Sequence, residues 1–207
     1  MPPSPRPRPQ ESGIAERDDK HASALLILDM ISSWDFPEAE ALVHAALGIA
    51  PVLARLKSRC VAAGVPVIYA NDNSGQWRSD FKFVVRKSLD AGGNGAEITR
   101  LLEPTPDDYF VLKPKHSAFF ATPLEILLDH LRTQRLIVVG VAADQCILNT
   151  VADARMRDFD VLVASDAIAA ISAARHRRAV AQLREALEVK VSKAQAIRLQ
   201  QVADGRP

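Results

Sequence analysis

Apolar positions along this chain follow two rhythms. One is short and unbroken. Ala24-Leu25-Leu26-Ile27-Leu28 runs to Asp29 without a polar interruption, the pattern of a strand covered on both faces. Val65–Ala70 and Arg135–Val141 share this character, with Pro66 tolerated at the start of its strand. Asp108–Leu112, Val161–Ala164 and a weaker Glu188–Val191 complete the set. The other rhythm has the helical period. In Pro37–Ala63, Leu42, Ala45, Ala46, Ile49, Leu53, Leu56 and Cys60 form one stripe, and Gly64 ends it. Pro123–Leu131, Cys146–Arg157 and Arg175–Leu187 read as further helices, and a last helix is expected from Ser192, with Gln195 completing a capping box. This alternation predicts an α/β fold: a three-layer α/β/α arrangement around a doubly wound sheet of about six mostly parallel strands. Asn73–Asn94 follows neither rhythm and is expected to be a covering segment.

Residues Met1–Lys20 are rich in proline and charge. Too little apolar surface is available there to offset the entropy of ordering, which predicts a disordered tail and leaves 21–207 as a single domain. Charge narrows the partners. With 26 basic and 25 acidic residues the chain is nearly neutral, which removes the electrostatic case for nucleic-acid binding. No apolar run is read as approaching the ~20 residues of a membrane span, and the start lacks the apolar core of a secretion signal. A cytoplasmic protein with a small-molecule ligand is expected. The two cysteines, Cys60 and Cys146, provide no disulfide framework.

In parallel sheets of this kind ligands bind beyond the carboxyl ends of the strands. Asp29, Asn71-Asp72-Asn73, Lys113 and the Ala142–Cys146 turn occupy those places. Asp29 could simply end a strand; dehalogenase and phosphoacceptor chemistry both want a second acid that its neighbours do not supply. Cys146 opens a helix, with Asp144 placed to cap it. Free N–H groups there would favour the thiolate, the nucleophilic form of cysteine. Cys60 lies on an apolar stripe and reads as core. Lys113 and Lys115 compete for one role, and spacing alone does not choose between them. His21, His44, His130 and His176 read as peripheral.

Taken together, three segments resemble the isochorismatase-like cysteine hydrolase superfamily: Ala24–Met30, the run Lys113-Pro114-Lys115-His116-Ser117-Ala118-Phe119-Phe120-Ala121-Thr122-Pro123-Leu124, and Gly140-Val141-Ala142-Ala143-Asp144-Gln145-Cys146. Asp153-Ala154 and Ser165-Asp166-Ala167 also fit, and the resemblance spans about Ala22–Val191. It implies that Cys146 is the nucleophile and that Asp29 is the general acid/base. It also selects Lys113, four residues before the Ser of Ser-Ala-Phe, as electrostatic support. A cis peptide at Val141–Ala142 is implied as well, with the backbone N–H groups of Ala142 and Cys146 forming an oxyanion hole. Ala143 departs from the usual Thr.

The branch follows from what accompanies these residues. Nicotinamidases bind a metal through an Asp-x-His motif and a further His, whereas this chain has no His from 45 to 115; no metal and no other cofactor are expected. True isochorismatases cleave a vinyl ether without needing the cysteine. An intact Cys146 therefore favours hydrolysis of a C–N bond in a small amide, ureido or carbamoyl compound. Vinyl-ether hydrolysis and a non-catalytic binding relative are the alternatives. Trp34, Phe36, Asn71, Trp77, Ser117 and Phe119 are the expected substrate-binding residues, with Phe120 as a further apolar wall. The resemblance also suggests a homo-oligomer, either a dimer or a tetramer.

Overall fold

In the computed structural model, residues 23–199 are described apart from Ser74, Gln76 and Ser79. The expected tail at Met1–Lys20 lies outside the described residues, as does His21. β1 (Ser23–Leu28), β2 (Val67–Asp72), β3 (Tyr109–Lys113), β4 (Arg135–Val141), β5 (Asp160–Ala169) and β6 (Lys190–Ser192) form one sheet in the order β3-β2-β1-β4-β5-β6. All its pairings are parallel.

Two cores follow from the alternation of side chains along each strand. Leu25 and Ile27 face one layer with α1 (Ala39–Ala62), α2 (Phe81–Ala91) and α3 (Gly93–Leu101). Leu26 and Leu28 face the other, built from α4 (Leu124–His130), α5 (Leu148–Met156) and α6 (Ala173–Glu185). The central strands β1 and β4 are buried on both faces, which is why they read as unbroken apolar runs, whereas the edge strands β3 and β6 are partly exposed.

Three expectations are corrected here. Asn73–Asn94 is not an irregular cover, because α2 and the start of α3 form within it. Asp80 caps α2 by accepting from the Phe83 N–H, and Ser88 is buried, where its hydroxyl bonds the Ser32 carbonyl at 2.6 Å and meets Thr99 Oγ1 at 2.6 Å. The helix from Ser192 is a single turn, Ala194–Ala196. Asp166 Oδ1 holds the Ala194 N–H at 2.7 Å, while Arg59 on α1 bonds the carbonyls of Ala194 and Ile197, fixing the chain in an extended exit. Finally, among the described residues α1 has the length and mean hydropathy (1.4 in its most apolar stretch) of a membrane span, contrary to the reading of the sequence. In the fold, its Leu42, Ala46, Ala50, Leu53, Leu56 and Cys60 pack in the same core as β1 and β4.

This topology positions the site. From β1 the chain builds outward through β2 to β3, then returns to lay β4 on the other side of β1. The switch point, where a crevice opens beyond the strand ends, therefore lies between Asp29 after β1 and Ala142 after β4. Gly140 lets the two strands approach there. It pairs with Leu28 at φ 112°, and a Cβ on it would lie 2.1 Å from the Leu28 carbonyl oxygen.

Candidate active site

Asp29 follows the last residue of β1 with a left-handed backbone, φ 52°. Its backbone N–H donates to the Ala70 carbonyl of β2. Oδ1 of its carboxylate accepts the Asp72 N–H at 2.8 Å, and Oδ2 lies 2.8 Å from Lys113 Nζ. Each oxygen thus has its own donor, and the side chain is only 16% exposed.

Lys113, at the end of β3, is fully buried. Besides Asp29 its ammonium meets the Lys115 carbonyl at 3.3 Å, Cys146 Sγ at 3.5 Å and Asp72 Oδ2 at 3.9 Å. Burial would lower its pKa, but the negative groups around it outweigh that, Asp29 foremost, and hold it above the ordinary lysine value. The ion pair is therefore intact at neutral pH. Lys115 contributes its carbonyl to this cluster and is itself exposed.

Cys146 sits in the wide turn Ala143–Ile147 between β4 and α5, closed by the Ile147 N–H donating to the Ala142 carbonyl at 3.1 Å. The preceding Val141–Ala142 peptide is cis. Burial and the Asp29 carboxylate push the Cys146 thiol up to about 12, against the lowering effect of Lys113. Burial and the Asp29 charge thus work against the thiolate expected from the helix start, while Lys113 works for it. Asp144 does not cap the helix. Its Oδ2 pairs with Arg175 Nε on α6 at 3.5 Å, and its buried Oδ1 has no hydrogen-bond partner. Cys60 is likewise raised to about 12, by burial in the apolar core. The two thiols differ in their neighbours: Cys146 has Asp29 and Lys113 beside it, and Cys60 has the apolar core.

The loop after Lys113 is fastened to α5, the helix behind Cys146. Ser117 Oγ hydrogen-bonds Asp153 Oδ2 and also accepts the Phe119 N–H, while Thr150 Oγ1 accepts the Ala118 N–H at 3.0 Å. Arg157 completes the brace. It pairs with Asp153 at 3.1 Å and Glu125 at 3.1 Å and lies over the Phe119 ring, which also packs on Phe159. The side chains of Ser117 and Phe119, both expected at the substrate, are thus also part of this brace. Ala143, the departure from the usual Thr, is buried in the same core.

Of the remaining expected wall residues, Asn71 is buried at the end of β2. Its Nδ2 donates to the Ile31 carbonyl at 2.6 Å, and its Oδ1 has no hydrogen-bond partner. Trp34 is half-buried against Gly95 and Phe36. Trp77 is 80% exposed, and Phe36 and Phe120 are also exposed. Among the described residues no group of three or more His, Cys, Asp or Glu is placed to hold a metal. The sequence reading gave no role to His116, yet its Nδ1 lies 3.6 Å from Cys146 Sγ. Its place three residues beyond the strand-end lysine was the available signal.

A parallel, doubly wound sheet with thiol, ammonium and carboxylate gathered at its switch point defines the class. Within it the chain belongs to the isochorismatase family of hydrolases, whose isochorismatase domain model matches residues 23–195. The uncharacterized isochorismatase family protein YaaI of Bacillus subtilis is 36% identical over 153 residues, 74% of this chain and 83% of that protein. N-carbamoylsarcosine amidase of an Arthrobacter species is 27% identical over 154 residues, 70% of this chain and 58% of that enzyme. Among solved structures, an isochorismatase family protein from Desulfovibrio vulgaris superposes with a TM-score of 0.69 at 29% identity, covering 86% of this chain and 96% of that one.

Proposed function

We propose that this chain hydrolyses a C–N bond of a small amide, ureido or carbamoyl compound through a thioester on Cys146, without a metal. The observation that carries the reading is Lys113 Nζ lying 2.8 Å from Asp29 Oδ2 and 3.5 Å from Cys146 Sγ. A carboxylate and a thiol then share one buried cation.

The chemistry follows from that arrangement. Because the free thiol holds its proton, attack requires a base in contact with it, and Asp29 fills that role. As sulfur bonds to the substrate carbonyl carbon, the thiol proton passes to Asp29, and Lys113 stabilises the negative charge on the way. Asp29 then returns the proton to the leaving nitrogen as the C–N bond breaks, and is again a carboxylate. Backbone N–H groups of Ala142 and Cys146 serve the tetrahedral oxyanion, a contribution of about 3–4 kcal/mol per donor in other hydrolases. Similarity to N-carbamoylsarcosine amidase supports a carbamoyl-type substrate.

Ammonia release from N-carbamoyl amino acids, simple ureas and primary amides tests the reading. Turnover of at least one class is expected, abolished in Cys146→Ala and in Asp29→Asn. Cleavage of a vinyl ether that survives Cys146→Ala would replace this reading with the ether-hydrolase alternative.

A further inference from the structure

Cys146 has a second polar neighbour that the steps above do not use. His116 Nδ1 lies 3.6 Å from Sγ, within hydrogen-bonding reach for sulfur. Asp29 and Lys113 belong to the buried side of the thiol, whereas His116 is exposed, on the loop between Lys113 and Ser117. That loop is not slack. Ser117 and Ala118, the next two residues, are tied to Asp153 and Thr150 of α5, so the loop that carries the imidazole is fastened to the helix that follows the Cys146 turn.

Thioester hydrolysis needs something that acylation does not. A water must enter from solvent, lose a proton as it attacks, and leave the sulfur protonated. An imidazole at the exposed side of the sulfur stands where that water arrives.

We propose that His116 is a further catalytic residue, acting as the acid/base of the second half-reaction; this rests on the thioester reading above. In the tautomer with hydrogen on Nε2, Nδ1 accepts a proton from the attacking water while oxygen bonds to the thioester carbon. When the C–S bond breaks, the electron pair stays on sulfur, and Nδ1–H returns the proton to it. Cys146 thiol, neutral imidazole and the free acid result, so atoms and charge balance. Asp29 serves acylation and His116 serves deacylation.

The test uses 4-nitrophenyl acetate as an acylating probe, with nitrophenolate followed in stopped flow and the acetylated Cys146 peptide followed by mass spectrometry. Wild type is expected to show a burst and then steady turnover. His116→Gln keeps a hydrogen-bonding group but cannot carry the proton. It is expected to slow the steady phase by about 100-fold or more and to accumulate acetyl-Cys146, while burst amplitude stays near one per chain. His116→Ala with added imidazole should recover part of the steady rate, which a purely structural role would not give. Equal clearance of acetyl-Cys146 in wild type and His116→Gln overturns the His116 assignment alone. Slowing of the burst in parallel with the steady phase overturns the division of labour. If wild-type Cys146 is never acetylated, the thioester reading falls and this inference falls with it.

Discussion

Replacing Lys113 by methionine keeps much of the side-chain volume and deletes the ammonium, leaving the Asp29 carboxylate 16% exposed with the Asp72 N–H and the Cys146 thiol beside it. Removing one partner of a buried ion pair costs about 3–5 kcal/mol, because the other charge stays buried. The residual exposure and the backbone donor place Lys113→Met near about 3 kcal/mol. Asp29→Asn strands a fully buried ammonium, with the Lys115 carbonyl at 3.3 Å and Asp72 at 3.9 Å left to it, so about 3 kcal/mol or more is expected there too. The double variant removes both charges together. It should cost less than the sum of the single variants by about 2 kcal/mol, the coupling of residues in direct contact. Urea unfolding, with unchanged m-values as the check on two-state behaviour, gives all four corners of the cycle. In a chain of this size each single variant also lowers Tm by roughly 6–12 °C. Single costs below about 1 kcal/mol, or a strictly additive double variant, would refute the pairing described here.

Other consequences are separately measurable. Iodoacetamide labelling resolved by site should find Cys146 and Cys60 both slow at neutral pH, since both thiols are raised to about 12. Asp29→Asn should then speed the labelling of Cys146 only; fast labelling of wild-type Cys146 well below the ordinary thiol pKa of ~8.5 contradicts the thiol state. Those raised values also set the alkaline limb of stability. The folded state holds these protons more tightly, so the contribution is complete below ~8.5 and is lost as pH rises towards about 12. Urea midpoints should fall over that window, and less steeply in Cys60→Ala. Gly140→Ala should cost at least about 3 kcal/mol, since φ 112° strains any Cβ and that atom would meet the Leu28 carbonyl at 2.1 Å. Wild-type stability in the purified variant would contradict the close approach of β4 to β1.

How much of this was legible in the sequence depended on what each segment buries. β1 and β4 are covered on both faces, so Ala24–Leu28 and Arg135–Val141 announced themselves as unbroken apolar runs. Strand ends offered Asp29, Lys113 and the Ala142–Cys146 turn as candidates, and the family resemblance, not the spacing, selected Lys113 over Lys115 and gave the three residues their expected roles. α2 escaped notice because what it buries includes polar Ser88, satisfied by the Ser32 carbonyl and by Thr99, which no hydrophobic pattern records. The last helix was overcalled because Ser192 and Gln195 look like a capping box. Long-range bonds from Asp166 and Arg59 settle that segment instead. Ser117 and Phe119 sit in the motif beside the site, but their partners, Asp153, Phe159 and Arg157, come from α5 and beyond, where proximity in sequence gives no hint. The surroundings of Cys146 were illegible for a related reason: a helix start is local, whereas the burial and the Asp29 charge that raise its pKa come from the whole fold.

The central claim is that Cys146 carries the substrate's acyl or carbamoyl group during turnover. Rapid acid quench of wild type with a turned-over carbamoyl or amide compound, followed by peptide mass spectrometry, addresses it most directly. The account predicts that group on the Cys146 peptide and not on that of Cys60, with none forming in Asp29→Asn. Full turnover with Cys146 unmodified at every quench time, and undiminished in Cys146→Ala, would contradict it.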